Sequence, residues 1–112
     1  MRRTMGRASE LKYKLLEEVY DFLDKHNVKT LNAYDVDEGS SPIVQEDYST
    51  EEDHYTLDRI YFENGELMVD ASGCYGNDTF HLSDLDGEIV EGILDWLTEN
   101  EETIDEIVAE QD

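Results

Sequence analysis

The chain has 112 residues, of which 38% are hydrophobic, and a formal net charge of −22 at pH 7. This charge argues against a direct nucleic-acid partner, because a duplex carrying about one negative charge per 1.7 Å would repel such a surface. The single cysteine excludes an intramolecular disulfide, and no apolar run reaches the roughly 18 residues of a membrane helix. We therefore expect a cytoplasmic protein with no membrane partner.

The negative charge is concentrated after Lys29. Residues 1–29 carry seven basic and five acidic residues, whereas residues 30–112 carry 25 acidic residues and one basic residue, Arg59. A small domain needs a net charge of only about 2 to 8 for solubility. Like charges repel each other and oppose folding, so a negative charge beyond this need indicates a use. We expect this use to be the attraction of a positively charged partner by the electric field of the chain.

Residues 1–8 contain three arginines but no apolar period, which predicts a flexible basic arm ahead of a single acidic domain over residues 9–112. From Ser9, an N-cap residue, apolar side chains recur on one side of a helix that Asn27 can end. These side chains are Leu11, Leu15, Leu16, Val19, Phe22 and Leu23. A short strand is expected over residues 28–34.

Residues 39–53 are mostly polar and predict a long loop, of a length that is often functional or mobile. The loop is also acidic, so we include its carboxylates in the expected binding surface. They are Glu46, Asp47, Glu51, Glu52 and Asp53.

Asn64-Gly65 lies between two apolar runs and predicts a two-residue type I′ hairpin turn. With this turn, Arg59 faces Asp70 across the strands. Because side chains alternate between the faces of a strand, the register also assigns the two faces of the hairpin. The core face receives Ile60, Phe62, Leu67 and Val69, and the other face receives Tyr55, Leu57, Arg59, Tyr61, Met68, Asp70 and Cys74.

A second turn over residues 73–78 and a short strand over residues 79–82 precede a helix from about Asp84 to Glu99, with a further helical segment over residues 103–108. The expected fold class is α+β with two layers. A three- to four-stranded antiparallel meander is flanked by an N-terminal and a C-terminal helix, in the order α-β-β-β-β-α. Both helices are expected on the sheet face that carries Ile60 and Phe62.

Six carboxylates fall within an arc of about 80° along this second helix, provided that it stays straight through Asn100. This carboxylate ladder consists of Asp84, Glu88, Glu91, Asp95, Glu99 and Glu102. It contains no Lys or Arg, and each like-charge pair at i,i+4 disfavours a helix by about 0.2 to 0.5 kcal/mol. The ladder is typical either of a merely solvated acidic helix or of a surface that a phosphate-binding groove accepts in place of nucleic acid.

An apolar cluster of Tyr55, Leu57, Tyr61 and Met68 is expected on the uncovered face of the sheet. Tyrosine is common in interface cores, and exposed apolar clusters often mark contact sites. The cluster predicts a partner site at Tyr55 and Tyr61 or, alternatively, contact with a second copy, the N-terminal arm or the long loop.

The sequence indicates no reaction. Cys74 and His81 flank the turn at Gly76-Asn77, but a nucleophilic cysteine also needs a group that orients its base, and no third member can be named. Residues 35–39 and 84–87 both depart from the ligand order of a calcium loop. We therefore predict a non-enzymatic protein with no cofactor and no dedicated metal site.

The leading hypothesis is an acidic protein that docks on and blocks a basic, nucleic-acid-binding surface of another protein, as a nucleic-acid mimic or a nuclease-immunity-type inhibitor. Its contacts would come from the carboxylate ladder, the loop acids, Tyr55 and Tyr61. The alternative is an accessory or regulatory domain that self-associates through the tyrosine-bearing sheet face, with the acidic surface serving solubility only.

Overall fold

A computed structural model describes residues 2–37, 41–46, 54–73 and 76–111. The helices are α1 (Arg2–Lys25), α2 (Ala33–Val36), α3 (Gly87–Glu99) and α4 (Glu101–Gln111). The strands are β1 (Thr30–Asn32), β2 (Ile43–Glu46), β3 (His54–Glu63), β4 (Glu66–Gly73) and β5 (Gly76–His81), and a 3₁₀ turn, Leu82–Asp84, follows β5. The predicted α+β class is confirmed, because the helices pack against one antiparallel sheet.

Helix α1 begins at Arg2, seven residues before the predicted N-cap Ser9. The segment predicted as a flexible arm therefore has a helical backbone. Arginine, methionine and alanine all favour helices, and no proline interrupts the segment. Helix propensity thus extends α1 beyond the residues whose apolar period indicated packing.

Helix α1 ends at Lys25, and Asn27 terminates it as predicted. This residue takes the left-handed conformation, with φ of 59°. The Asn27 N–H donates to the carbonyl of Asp24 at 3.1 Å, and the Val28 N–H donates to the carbonyl of Leu23 at 2.8 Å. The two bonds form a Schellman cap, in which the buried side chains of Val28 and Leu23 supply the accompanying apolar contact.

The sheet has the order β1-β3-β4-β5, and β2 also pairs with β3. Strand β1 takes one end of the β3 edge, with Leu31 opposite Ile60, and β2 takes the other end, with Ile43 opposite Thr56. Strand β2 lies inside the segment predicted as a loop, so that prediction is wrong for residues 43–46. The apolar pair Ile43-Val44, whose valine is buried, supplies the pairing that polar composition concealed.

The predicted hairpin is confirmed residue by residue from Arg59 to Asp70. Ile60 pairs with Val69 and Arg59 pairs with Asp70. Both turn residues have positive φ, 53° for Asn64 and 83° for Gly65, as a type I′ turn requires.

A β-bulge between Leu57 and Arg59 changes the face of the residues that precede it. Leu57 pairs with Ala71 and is 1% exposed, in the core. Tyr55, two residues earlier, packs against the same core and makes an edge-to-face contact with Phe80 at 6.4 Å. The prediction that Tyr55 and Leu57 face away from the core is therefore wrong, because one inserted residue exchanges the two faces of a strand.

Helices α1 and α3 pack against each other and against one face of the sheet. Val19 of α1, Ile93 of α3, and Ile60 and Val69 of the sheet are all fully buried in one cluster, and Ile104 of α4 joins it. Both long helices thus lie on the Ile60 face, as predicted. The opposite sheet face carries the polar side chains of Arg59, Asp70 and Thr79.

Candidate functional site

Four carboxylates lie on the exposed side of α3. This acidic row consists of Glu88, Glu91, Asp95 and Glu99. At about 100° and 1.5 Å per residue, the row spans an arc of about 80° and a length of about 16 Å. Within the described part of the chain, none of the four forms an ion pair. Their negative charge is therefore presented to solvent along one straight segment.

The other two members of the predicted ladder do not continue the row. Asp84 lies in the 3₁₀ turn before α3, and Glu102 lies on α4. Asn100 interrupts the helix, with φ of −109° and ψ of 22°. Its side-chain amide donates to the carbonyl of Trp96 at 2.8 Å and caps α3. The six-residue ladder requires a helix that stays straight through Asn100. The helix is instead divided at Asn100, because α3 ends at Glu99 and α4 begins at Glu101.

A groove of about 460 Å³ lies between α3 and the start of β2. Ile43 at its mouth is 37% exposed, whereas Trp96 deeper in the groove is 7% exposed, and Ile89 lies beside them. Three members of the acidic row line the same α3–β2 groove: Glu88, Asp95 and Glu99. The sequence predicted the carboxylates but not the groove, because β2 was not expected.

Gly92 lies at the middle of α3 and lines the α3–β2 groove. Glycine inside a helix costs about 1 kcal/mol relative to alanine. A Cβ at this position would meet nothing within 4 Å. Close packing against the described residues therefore does not require a glycine here, and its missing side chain enlarges the groove.

Most of the predicted loop acids fall outside the part of the chain that the structure describes. Glu46 ends β2, while Asp47, Glu51, Glu52 and Asp53 lie outside the described residues. Their predicted participation stays a prediction.

The sheet face opposite α1 and α3 carries a hydrogen-bonded network centred on Asp70. Arg59 donates to Asp70 Oδ2 from Nε at 3.0 Å and from Nη2 at 2.7 Å. Thr79 Oγ1 donates to Asp70 Oδ1 at 2.8 Å, and the Tyr61 hydroxyl donates to the same oxygen at 3.3 Å. The predicted cross-strand pair of Arg59 with Asp70 is thus present, so this cation is engaged away from the acidic row.

The same network perturbs two titrating groups. The hydrogen bond that Arg59 donates to the Asp70 carboxylate raises the pKa of Arg59 above its ordinary value. Partial desolvation, followed by the negative charge of Asp70, raises the pKa of Tyr61. The Arg59 guanidinium also lies 4.4 Å from the centroid of the Tyr61 ring. These contacts hold Tyr61 in a fixed orientation on the sheet.

The predicted tyrosine cluster is not a single surface. Tyr61 and Met68 lie on the sheet face opposite α3, but Tyr55 and Leu57 lie on the core side of the sheet. Tyr61 therefore cannot join the acidic row in one compact interface. Met68 is 9% exposed, so Tyr61 is the remaining accessible member of the cluster. Self-association through this face stays a prediction.

His26 connects the C-terminus of α1 to α4. Its Nε2 lies 2.9 Å from Glu101 Oε2 and its Nδ1 lies 2.5 Å from Asp105 Oδ1. The side chain is 8% exposed, and the Phe22 ring lies against it with centroids 4.4 Å apart. Glu101 and Asp105 are four residues apart on one helix face, but the sequence does not show which residue they contact. The contact of His26 with α4 could therefore not be predicted from the sequence.

No catalytic or metal arrangement emerges from the described residues. His81 pairs with Met68, and its Nδ1 lies 3.0 Å from Glu66 Oε2. Cys74, which flanks the same turn in the sequence, lies outside the described residues. No group of three His, Cys, Asp or Glu side chains suited to a metal ion occurs in the ranges that the structure describes.

Comparison with protein-family models, with curated proteins and with solved structures finds no match for this chain. Among the helices in the described ranges, none combines the length and the apolar character needed to cross a membrane. The function must accordingly be argued from the surface itself.

Proposed function

We propose that this chain is a non-enzymatic, cytoplasmic binding protein that docks on and blocks a basic, nucleic-acid-binding surface of another protein, as a nucleic-acid mimic or a nuclease-immunity-type inhibitor. The observation that carries the proposal is the acidic row: four exposed carboxylates on one helix face, without an ion pair in the described part of the chain. Repulsion within such a row opposes folding, and contact with a basic partner would relieve it.

The spacing of the row supports mimicry of a phosphate backbone. Four charges over about 16 Å give about one charge per 5 Å of helix axis. A single DNA strand carries about one charge per 3.4 Å. The two densities agree within a factor of two, so lysines and arginines arranged for phosphates could meet the carboxylates of the row.

The row is also held rigidly. Val90, Ile93 and Leu97 on the opposite side of α3 are fully buried. Docking therefore does not need to order the helix, and the ordering cost at α3 is confined to its side-chain rotamers. A preorganised surface of this kind supports tight association through few contacts.

The overall charge supports fast association. The formal charge of −24 over residues 30–112 would attract a positively charged partner over distances longer than a contact. Such steering raises the association rate more than the strength of the final contacts. The row would then determine where the partner docks.

The test uses a row-neutral variant that keeps the side-chain shapes of the acidic row. Its substitutions are Glu88→Gln, Glu91→Gln, Asp95→Asn and Glu99→Gln. An α1 control variant removes the same number of charges from exposed positions on α1. Its substitutions are Glu17→Gln, Glu18→Gln, Asp21→Asn and Asp24→Asn.

Native chain and both variants are used to capture proteins from source-cell lysate at physiological salt, and each captured protein is then tested for nucleic-acid binding in the presence of the chain. We expect the native chain and the α1 control variant to capture a nucleic-acid-binding protein and to compete with its nucleic acid. The row-neutral variant should do neither. Equal capture and competition by the row-neutral variant would contradict the proposal.

A further inference from the structure

We infer that the α3–β2 groove receives an apolar side chain from a segment of the partner that is rich in lysine or arginine, while the flanking cations contact the acidic row. This inference rests on the proposed function, because it names the part of a basic partner that the row contacts. It adds an apolar contact to an otherwise electrostatic surface.

The first support is the apolar wall of the groove. Ile43 is 37% exposed at the mouth, and Ile89 and Trp96 lie beside it. A partner side chain seated there would remove apolar surface from water on both molecules. Attraction between charges alone does not include this contribution from apolar burial. The groove would therefore discriminate among basic partners that are all attracted by the negative charge of the chain.

The second support is the space over Gly92. A side chain there would meet no other described atom within 4 Å, so the glycine leaves the helix backbone open on the groove side. Glycine disfavours a helix interior. A partner side chain placed over Gly92 would make use of that opening.

The third support is the placement of charge around this opening. Glu88 and Asp95 lie about one helical turn before and after Gly92, and Glu99 lies one turn further. An apolar side chain over Gly92 with a cation on each side would therefore meet a carboxylate on each side. A second copy of this chain fits less well, because its net charge of −22 opposes contact with the row.

The experiment uses two synthetic peptides with the same number of lysines. One is an amphipathic helix whose apolar face is leucine, and the other has serine in place of each leucine. Trp96 is the single tryptophan of the chain and lies in the groove, so its fluorescence reports occupancy at this site. Affinities are measured at physiological salt for native chain, the row-neutral variant and two groove variants.

The groove variants are Gly92→Leu, which fills the opening, and Ile43→Ser, which removes an apolar side chain at the mouth that is not a member of the core cluster. Ala109→Leu, at an exposed position of α4, controls for an added leucine. We expect native chain and Ala109→Leu to bind the leucine peptide about tenfold more tightly than the serine peptide, the order expected from burying one leucine. Both groove variants should lose most of that preference while still binding either peptide at low salt.

The outcomes separate this inference from the proposed function. If native chain binds both peptides equally and the row-neutral variant binds neither, the groove inference is overturned and the electrostatic proposal stands. If the row-neutral variant binds as well as native chain, the proposed function fails. If native chain without peptide is a dimer that Gly92→Leu abolishes, the groove belongs to a second copy and the inference is overturned.

Discussion

Neutralising the acidic row should make the protein more stable while removing its binding. The row contains three neighbouring like-charge pairs, Glu88–Glu91, Glu91–Asp95 and Asp95–Glu99, each of which disfavours the helix by about 0.2 to 0.5 kcal/mol. Removing all three should raise the free energy of unfolding by about 0.6 to 1.5 kcal/mol. The helix dipole adds little to this change. Its favourable interaction with Glu88 in the first turn of α3 and its unfavourable interaction with Glu99 in the last turn are of similar size.

The assay is urea denaturation followed by circular dichroism, at low and at high salt. The expected gain in the free energy of unfolding can also be expressed as a thermal shift. With an unfolding entropy of about 2.1 cal/mol/K per residue, it corresponds to a Tm increase of roughly 3 to 6 °C on heating. High salt should reduce the difference, because it screens exposed charges. The α1 control variant should show no such gain, since Lys14 and Lys25 lie three or four residues from three of its carboxylates and offset their mutual repulsion. A row-neutral variant less stable than native chain would refute the reasoning, because it would mean that the row has a stabilising role within the fold.

Three further predictions concern single residues. Gly92→Ala should raise the free energy of unfolding by about 0.5 to 1 kcal/mol in urea denaturation, because its Cβ enters open space. Gly65→Ala should lower the free energy of unfolding, because φ is +83° at that position. The raised pKa of Tyr61 means that the folded state holds this proton more tightly, so stability falls as pH rises above about 10. In alkaline titrations Tyr61→Phe should flatten that fall, and an unchanged slope would contradict the assignment. His26→Gln should speed amide hydrogen exchange in α4 by about fivefold, corresponding to about 1 kcal/mol for the lost contacts, and unchanged exchange would show that they are dispensable.

Where local chemistry decides the conformation, the sequence was a sufficient guide. Asn64-Gly65 allows few turns, so the register from Arg59 to Asp70 and the ion pair between them followed from two residues. Asn27 likewise identified the end of α1 through its tolerance of positive φ. The fold class followed from the order of these elements.

Where the conformation depends on pairing between distant segments, the sequence did not predict it. A β-bulge near Leu57 depends on the partner strands and leaves no local signal, so Leu57 and Tyr55 were placed on the wrong face. Strand β2 is short and surrounded by polar residues, and its pairing with β3 created a groove that could not be predicted. Asn100 is compatible with either a straight or a broken helix, and the structure shows a break there, with a non-helical backbone and a side-chain bond to the Trp96 carbonyl.

The most direct test of the proposed docking is the association rate with a captured partner, measured by stopped flow from low to high ionic strength. We predict that the association rate of native chain falls steeply as salt rises, because salt screens the steering charge. For the row-neutral variant, the complex should dissociate much faster at every salt concentration. A native association rate that is unchanged between low and high salt would contradict electrostatic docking of the acidic row.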